Sequence, residues 1–393
     1  MTELDAVWAG ACAFVLAALL TPLAALVARR VGATDVPKAR GLGVASTPLL
    51  GGLAIFAGFA VAILIFLDPT PRVEGRIVGI LAGGALITFV GALDDRFDLH
   101  PAVKLLGQIA AAVIPVAAGV EVRNITLPFL GPIHFGDVGA PLTVLGIVAM
   151  MNVVNFSDGV DGLAAGVCVI AALAFAIIAF DLERAHAGIL AAATAGAAGG
   201  FLVHNYPPAS IYMGDCGANL LGFLLGCVAV EGAVKTQAVL ALVFPLVVLA
   251  VPFMDTTFVV LKRMKYRRPV YVADANHFHH RFSRIGFSQR RTLAYLYAWT
   301  LMLGGYAVSL RFIPYSDDHG TLNPGWFALV VALGLVVLAA SLYLIYLLEI
   351  LKLKRLSAMR LRRIRPDVTD AEVDADVARR METGEFEALS HEP

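Results

Sequence analysis

Residues 141–180 read "PLTVLGIVAMMNVVNFSDGVDGLAAGVCVIAALAFAIIAF". Two apolar stretches flank a short hinge that carries Asn152, Asn155, Asp158 and Asp161. Each flank approaches the ~20 apolar residues that cross a bilayer core. A carboxylate at mid-bilayer depth is expensive, so these acids belong at a membrane surface, between two spanning helices. That reading makes the chain a polytopic membrane protein.

The rest of the sequence agrees. Its 393 residues are 59% hydrophobic and 15% charged, with mean hydropathy +0.79, whereas soluble domains run about 45–50% apolar and ~25% charged. Apolar runs predict eleven spans, at 6–28, 49–67, 76–93, 102–119, 141–155, 163–181, 187–204, 218–234, 238–261, 292–310 and 326–351, the fifth being short. The first lacks a basic stretch before it and reads as a helix, not a cleavable signal. The expected fold is all-α, a polytopic helical bundle of about eleven transmembrane helices. One connection, 120–139, alternates β-formers and predicts a small outer β-hairpin turning at Gly131-Pro132. Cys12, Cys168, Cys216 and Cys227 make no close pair and read as small hydrophobes.

Lys and Arg placement sets the orientation. With the N-terminus outside, 24 of the 30 basic residues fall on or at the edge of the cytoplasmic connections. Residues 1–351 form the membrane domain and 352–393 a tail. The tail opens with seven basic residues over 352–365 and ends with nine acids over 367–393. The first half suits an anionic leaflet.

Four polar clusters follow odd-numbered spans, so all four face the cytoplasm. They are "ALDDRFDLHPAVK", "NVVNFSDGVDG", "HNYPPASIYMGDCGAN" and "DANHFHHRF". Asp94 and Asp95 are adjacent carboxylates, so one is expected to be neutralised by a proton or a cation. Lys104 opens the next span, where it either anchors a lipid phosphate or snorkels. Asn152 and Asn155 are spaced to share a helix face, with Gly159 and Gly162 allowing a sharp turn beside them. Asp215 either caps the next helix or holds a metal, with Asn219 nearby. His277, His279, His280 and Arg281 suit oxyanion recognition. Zinc is disfavoured there, because neither Cys nor an HExxH pattern accompanies them. Hard oxygen donors, a lysine and a basic loop on one face suit metal-assisted phosphoryl transfer between a soluble substrate and a lipid.

All four clusters, in order, resemble the polyprenyl-phosphate N-acetylhexosamine-1-phosphate transferases, over roughly residues 10–350. The resemblance implies transfer of a sugar 1-phosphate from a UDP-sugar to a polyprenyl phosphate, with Mg²⁺ (Mn²⁺ able to substitute) and release of UMP. "ADANHFHHRFSRIGFS" resembles the branch that uses UDP-N-acetylglucosamine to begin cell-envelope polysaccharide or teichoic acid synthesis. It implies that Asn155 and Asp215 hold the metal and that Asp94 and Asp95 are catalytic. Lys104 would stand near the acceptor phosphate. Asn152, Asp158 and Asp161 would lie on the nucleotide side, and His277, His279, His280 and Arg281 would grip pyrophosphate and sugar. The first inner loop matches only in part, with Leu50 where the family often has Arg. The implied location is a bacterial cytoplasmic membrane with the site facing the cytoplasm. A second copy of the chain is a candidate partner, and no nucleic acid is. The same chemistry on UDP-N-acetylgalactosamine or UDP-N-acetylmuramoyl-pentapeptide is an alternative. A secondary transporter is a distant one, since neither repeats nor a mid-span ionisable cluster is present.

Overall fold

The computed structural model describes residues 2–35, 46–68, 71–127, 131–232, 289–315 and 323–347, with scattered tail residues between 361 and 375. The ninth expected span (238–261), the loop bearing His277, His279, His280 and Arg281, and most of the tail lie outside the described residues. The other ten spans are all helices. They are α1 (Glu3–Val31), α2 (Gly51–Phe66), α3 (Pro71–Phe97), α4 (Pro101–Ala117), α5 (Gly139–Ser157), α6 (Leu163–Asp181), α7 (Ala185–Asn205), α8 (Gly214–Gly232), α9 (Gln289–Phe312) and α10 (Pro324–Leu347). Eight are long and apolar enough to cross a membrane, while α2 and α4 are shorter. In lipid the backbone must satisfy its own polar groups, which is why these runs are helical. The fifth span is longer than expected: α5 has 19 residues, a rise of about 28 Å.

Small residues set the packing. Along α1 the buried positions are Ala6, Ala9, Ala13, Ala17, Thr21, Ala24 and Ala28, a stripe at helical spacing. Gly10 on that helix meets Ala192 of α7, and Gly58 of α2 meets Ala13 and Ala17. Such faces let helix backbones approach closely in lipid. α8 lies at the centre, packed on α3, α5, α2, α7 and α6. α10, by contrast, is exposed along most of its length.

Among the described residues there are also two short antiparallel strand pairs. β1 (Thr34–Asp35) pairs with β2 (Thr47–Pro48), and β3 (Asn124–Leu127) with β4 (Gly131–His134). The second pair is the expected outer hairpin, with one correction. Gly131 and Pro132 open the second strand, opposite Leu127 and Thr126, and the connection falls on residues outside the described ones. Pro132 is tolerated because a two-stranded ribbon leaves strand edges unpaired.

One close helix contact that bears on the site is Gly91 of α3 on the backbone of Asp215 and Cys216 in α8. A methyl at Gly91 would overlap Cys216 and force the two helices apart. Overpacking of this kind costs about 1–3 kcal/mol. Gly91→Ala should therefore lower the thermal unfolding midpoint of the detergent-purified protein, and an unchanged midpoint would show that α3 and α8 can separate freely.

Candidate active site

One end of the bundle gathers the C-termini of α3, α5 and α7 with the N-termini of α4, α6 and α8. Alternating helix directions bring these ends together, so clusters far apart in sequence meet. They enclose a pocket of about 380 Å³ lined by Asp35, Asp95, Asn155, Asp158, Asp161, Asn205, Tyr212 and Asp215, among others.

The adjacent acids Asp94 and Asp95 do not share a cation. They point apart, and each has its own donors. Asp95 accepts from the backbone N–H of Asp215 (2.7 Å) and Cys216 (3.2 Å). A carboxylate belongs at a helix N-terminus, where amides are unpaired and the dipole is positive. The α8 cap is thus Asp95, not Asp215. Gly214 makes room for it: with φ 71° and the Asp95 carboxylate against it, any side chain there would collide. Asp94 Oδ1 accepts from Leu99 N–H (2.8 Å) at the end of α3, and Oδ2 pairs with Lys104 Nζ at 3.0 Å. Only Asp95 of the two lines the pocket.

Asp215 sits one residue into α8 and faces the opening. Lys104 Nζ and Asn155 Nδ2 both donate to its carboxylate. Lys104 is only 21% exposed, and it bridges Asp94 and Asp215. A charge pair this shielded is strongly felt by both partners.

Asp158 and Asp161 occupy the turn between α5 and α6. Gly162 takes φ 77° where α6 begins, whereas Gly159 keeps an ordinary φ. The turn is tied down on several sides. Asn205 Oδ1 accepts from Gly162 N–H (2.8 Å), Asn205 Nδ2 donates to Ile211 O (3.0 Å), and Tyr297 Oη donates to Gly162 O. Asp161 Oδ2 accepts from Ala209 N–H (3.0 Å). Burial, aided by the nearby charges of Asp215, Asp95 and Asp161, pushes the Asp158 carboxyl up to about 8.

Asn152 and Asn155 separate in role. Asn155 reaches the pocket, while Asn152 donates to Gln108 Oε1 (2.9 Å) and Val148 O (2.8 Å) and does not line it. Asn219 is buried beneath the pocket as well. Among the described residues, no three carboxylate, imidazole or thiol groups close on one point. Sequence reasoning missed Asp35, Tyr212, Asn205 and Gln108. Asp35 and Tyr212 reach the pocket because the first inner loop is stitched to the Asp215 loop. Tyr212 N–H donates to Pro48 O (2.9 Å), and Gly51 and Gly52 N–H donate to Tyr212 and Met213 O (3.2 and 3.1 Å). Leu50 serves that stitch: it is buried and takes φ 72° ahead of α2.

The pocket carries five carboxylates and no basic side chain among its described lining residues. It would repel a phosphorylated ligand unless cations accompany it. Comparison with known proteins is consistent with phosphate chemistry. Residues 77–233 match the model of glycosyl transferase family 4. The chain is 34% identical over 294 residues to the probable undecaprenyl-phosphate N-acetylglucosaminyl 1-phosphate transferase of Bacillus subtilis strain 168, covering 75% of this chain and 81% of that protein. It is 33% identical over 339 residues to the decaprenyl-phosphate N-acetylglucosaminephosphotransferase of Mycolicibacterium smegmatis, covering 79% and 81%. It is also 33% identical over 284 residues to the phospho-N-acetylmuramoyl-pentapeptide-transferase of Desulforudis audaxviator, covering 65% and 81%.

Proposed function

Since the chain belongs to glycosyl transferase family 4, the polyprenyl-phosphate N-acetylhexosamine-1-phosphate transferases, we propose that it moves N-acetylglucosamine 1-phosphate from UDP-N-acetylglucosamine to a polyprenyl phosphate, releasing UMP. It is a multi-pass membrane phosphoglycosyltransferase. The observation that carries the reading is the convergence of Asp95, Asn155, Asp158, Asp161 and Asp215 on one pocket, with Lys104 paired to Asp215 at its edge. We place this pocket on the cytoplasmic side of a bacterial inner membrane, where the basic connections lie.

The donor set fits Mg²⁺. The ion takes hard oxygen ligands, commonly one or two carboxylates together with waters and substrate phosphates, so a dense protein cage is unnecessary. Asp215 and the Asn155 amide oxygen would hold it after the amide turns its oxygen inward. When bound, it neutralises phosphate charge in the pocket and polarises the transferred phosphoryl group.

The remaining chemistry falls to the chain. A lipid phosphate oxygen attacks the sugar-bearing phosphorus, forming the new P–O bond as the bond to UMP breaks. The attacking phosphate has a second pKa of about 6 and needs little deprotonation near neutrality. A carboxylate of the Asp94–Asp95 pair takes its last proton or orients it, and Asp95 is the member with access from the pocket. Lys104 draws the acceptor phosphate toward Asp94 and Asp215. Asp158 and Asp161, with the loop bearing His277, His279, His280 and Arg281, serve the nucleotide, pyrophosphate and sugar.

The test offers purified protein a panel of UDP-sugars with undecaprenyl phosphate and identifies the lipid product. UDP-N-acetylglucosamine should give lipid-linked N-acetylglucosamine diphosphate and equimolar UMP. A preference for UDP-N-acetylgalactosamine or UDP-N-acetylmuramoyl-pentapeptide would reassign the donor, and solute movement without UMP would make the chain a transporter. With lipid omitted, neither UMP nor a mass increase on Asp94 or Asp95 should appear. A stoichiometric burst of both would replace direct attack with a covalent intermediate.

A further inference from the structure

Beneath the pocket lies a second polar layer. Asp215 of α8, Asn155 of α5 and Lys104 of α4 meet at the pocket. One turn deeper on the same three helices stand Asn219, Asn152 and Gln108. Residues three or four apart share a helix face, so each site residue has an amide directly under it, buried at Gln108 and Asn219 and half-buried at Asn152.

These three amides form one chain. Asn152 Nδ2 donates to Val148 O (2.8 Å) and to Gln108 Oε1 (2.9 Å). Gln108 Nε2 donates to Asn219 Oδ1 (2.7 Å), and Asn219 Nδ2 donates to Asp215 O (2.8 Å). Backbone carbonyls close both ends, and a carbonyl can only accept. The direction of every amide in the chain is therefore fixed by its ends. Gln108 is the centre: it is 1% exposed, and among the described residues its amide makes the side-chain hydrogen bonds that join α4 to α5 and α8 in this layer. Asn219 is equally shielded, at 1% exposed, so breaking the chain leaves buried polar groups unsatisfied.

We infer that Gln108 is a positioning residue for the transfer reaction, fixing the register of α4 against α5 and α8 so that Lys104 Nζ stands between Asp94 and Asp215. This rests on the transferase reading above. The side chain touches no pocket atom. It acts through helix placement, as outer partners of a metal or phosphate site do, where loss costs about 10–100-fold in function.

The test is Gln108→Met, which keeps length and suits a membrane interior but cannot hydrogen-bond as an amide. Single-turnover transfer should fall by about tenfold or more, while KM for the UDP-sugar stays within about twofold and the thermal midpoint in detergent falls only by the few degrees that unsatisfied amides cost. Gln108→Asn should lose rate too, because its amide falls one methylene short. Moving that methylene across, in the pair Gln108→Asn with Asn219→Gln, should recover much of the lost rate. Wild-type turnover in Gln108→Met would overturn the proposal. So would a loss that tracks a fallen midpoint and is not recovered by the exchanged pair, since the amide would then only hold the bundle together. If Gln108→Met does not accumulate, Gln108→Asn and the exchanged pair decide by the same readings. The wild-type protein run alongside keeps the two questions apart, because its failure to transfer would count against the function and not against Gln108.

Discussion

Asp215→Asn should cut single-turnover transfer by a hundredfold or more while the protein still folds. The carboxylate accepts from both Lys104 Nζ and Asn155 Nδ2. An amide at the same place could accept from only one of them and would carry no charge for Lys104. A hydrogen bond to a charged group is worth about 1.5–3 kcal/mol, and a shielded lysine left without its counter-charge adds to that. About 3 kcal/mol is roughly a hundredfold in rate. Folding should survive because Asp95 grips the backbone N–H of residue 215, not its side chain. The measurement is UMP release at saturating enzyme, with melting curves as the control. A loss under about tenfold at a normal midpoint would mean that the Asp215 carboxylate takes no part in the reaction.

Chelation should have the largest effect of all. In excess EDTA, turnover should fall to background and return on adding Mg²⁺ or Mn²⁺. Asp35, Asp95, Asp161 and Asp215 share one pocket with Asp158, whose raised carboxyl is largely protonated near neutrality, and a nucleoside diphosphate brings further negative charge. At close range in a shielded site, like charges repel by several kcal/mol. Lys104 cannot offset this alone, since Asp94 and Asp215 already flank it. Titrating UDP-N-acetylglucosamine binding with and without Mg²⁺ gives a readout independent of turnover, and tighter binding should require the ion. Full turnover in EDTA would remove the metal from the reaction.

Much of this was legible from the residues alone, for a physical reason. A span needs many apolar residues in a row, so composition reveals it: the ten described helices fall on ten of the predicted runs, including α6 at the predicted 163–181. Acids at helix ends are likewise visible, because lipid excludes them from the interior. What stayed hidden depends on which helix lies beside which. Asp95 reads as half of a repelling pair until α8 is seen to end on it. Asn219 reads as a metal neighbour until its burial is known. Gln108 did leave a signal: apart from Lys104, it is the only side chain of α4 with a strong hydrogen-bonding group, and a polar residue inside a span rarely lacks a purpose. Asp35 left none, and Tyr212 only its place in the third polar cluster, since the stitching of the first inner loop to the Asp215 loop is made by backbone groups that any sequence supplies.

The grip of Asp95 on the start of α8 also has a consequence for how the chain is made. The two partners are 120 residues apart. At ~5–20 residues per second, ribosomal synthesis takes about 6–24 s to bridge that gap. Through that interval α3 sits in the membrane with a carboxylate whose docking site has not yet left the ribosome. The reaction centre is thus a product of late assembly. A chain stopped between Asn155 and Gly214 would contain the acidic pair, Lys104 and Asn155, and still have nowhere for them to meet.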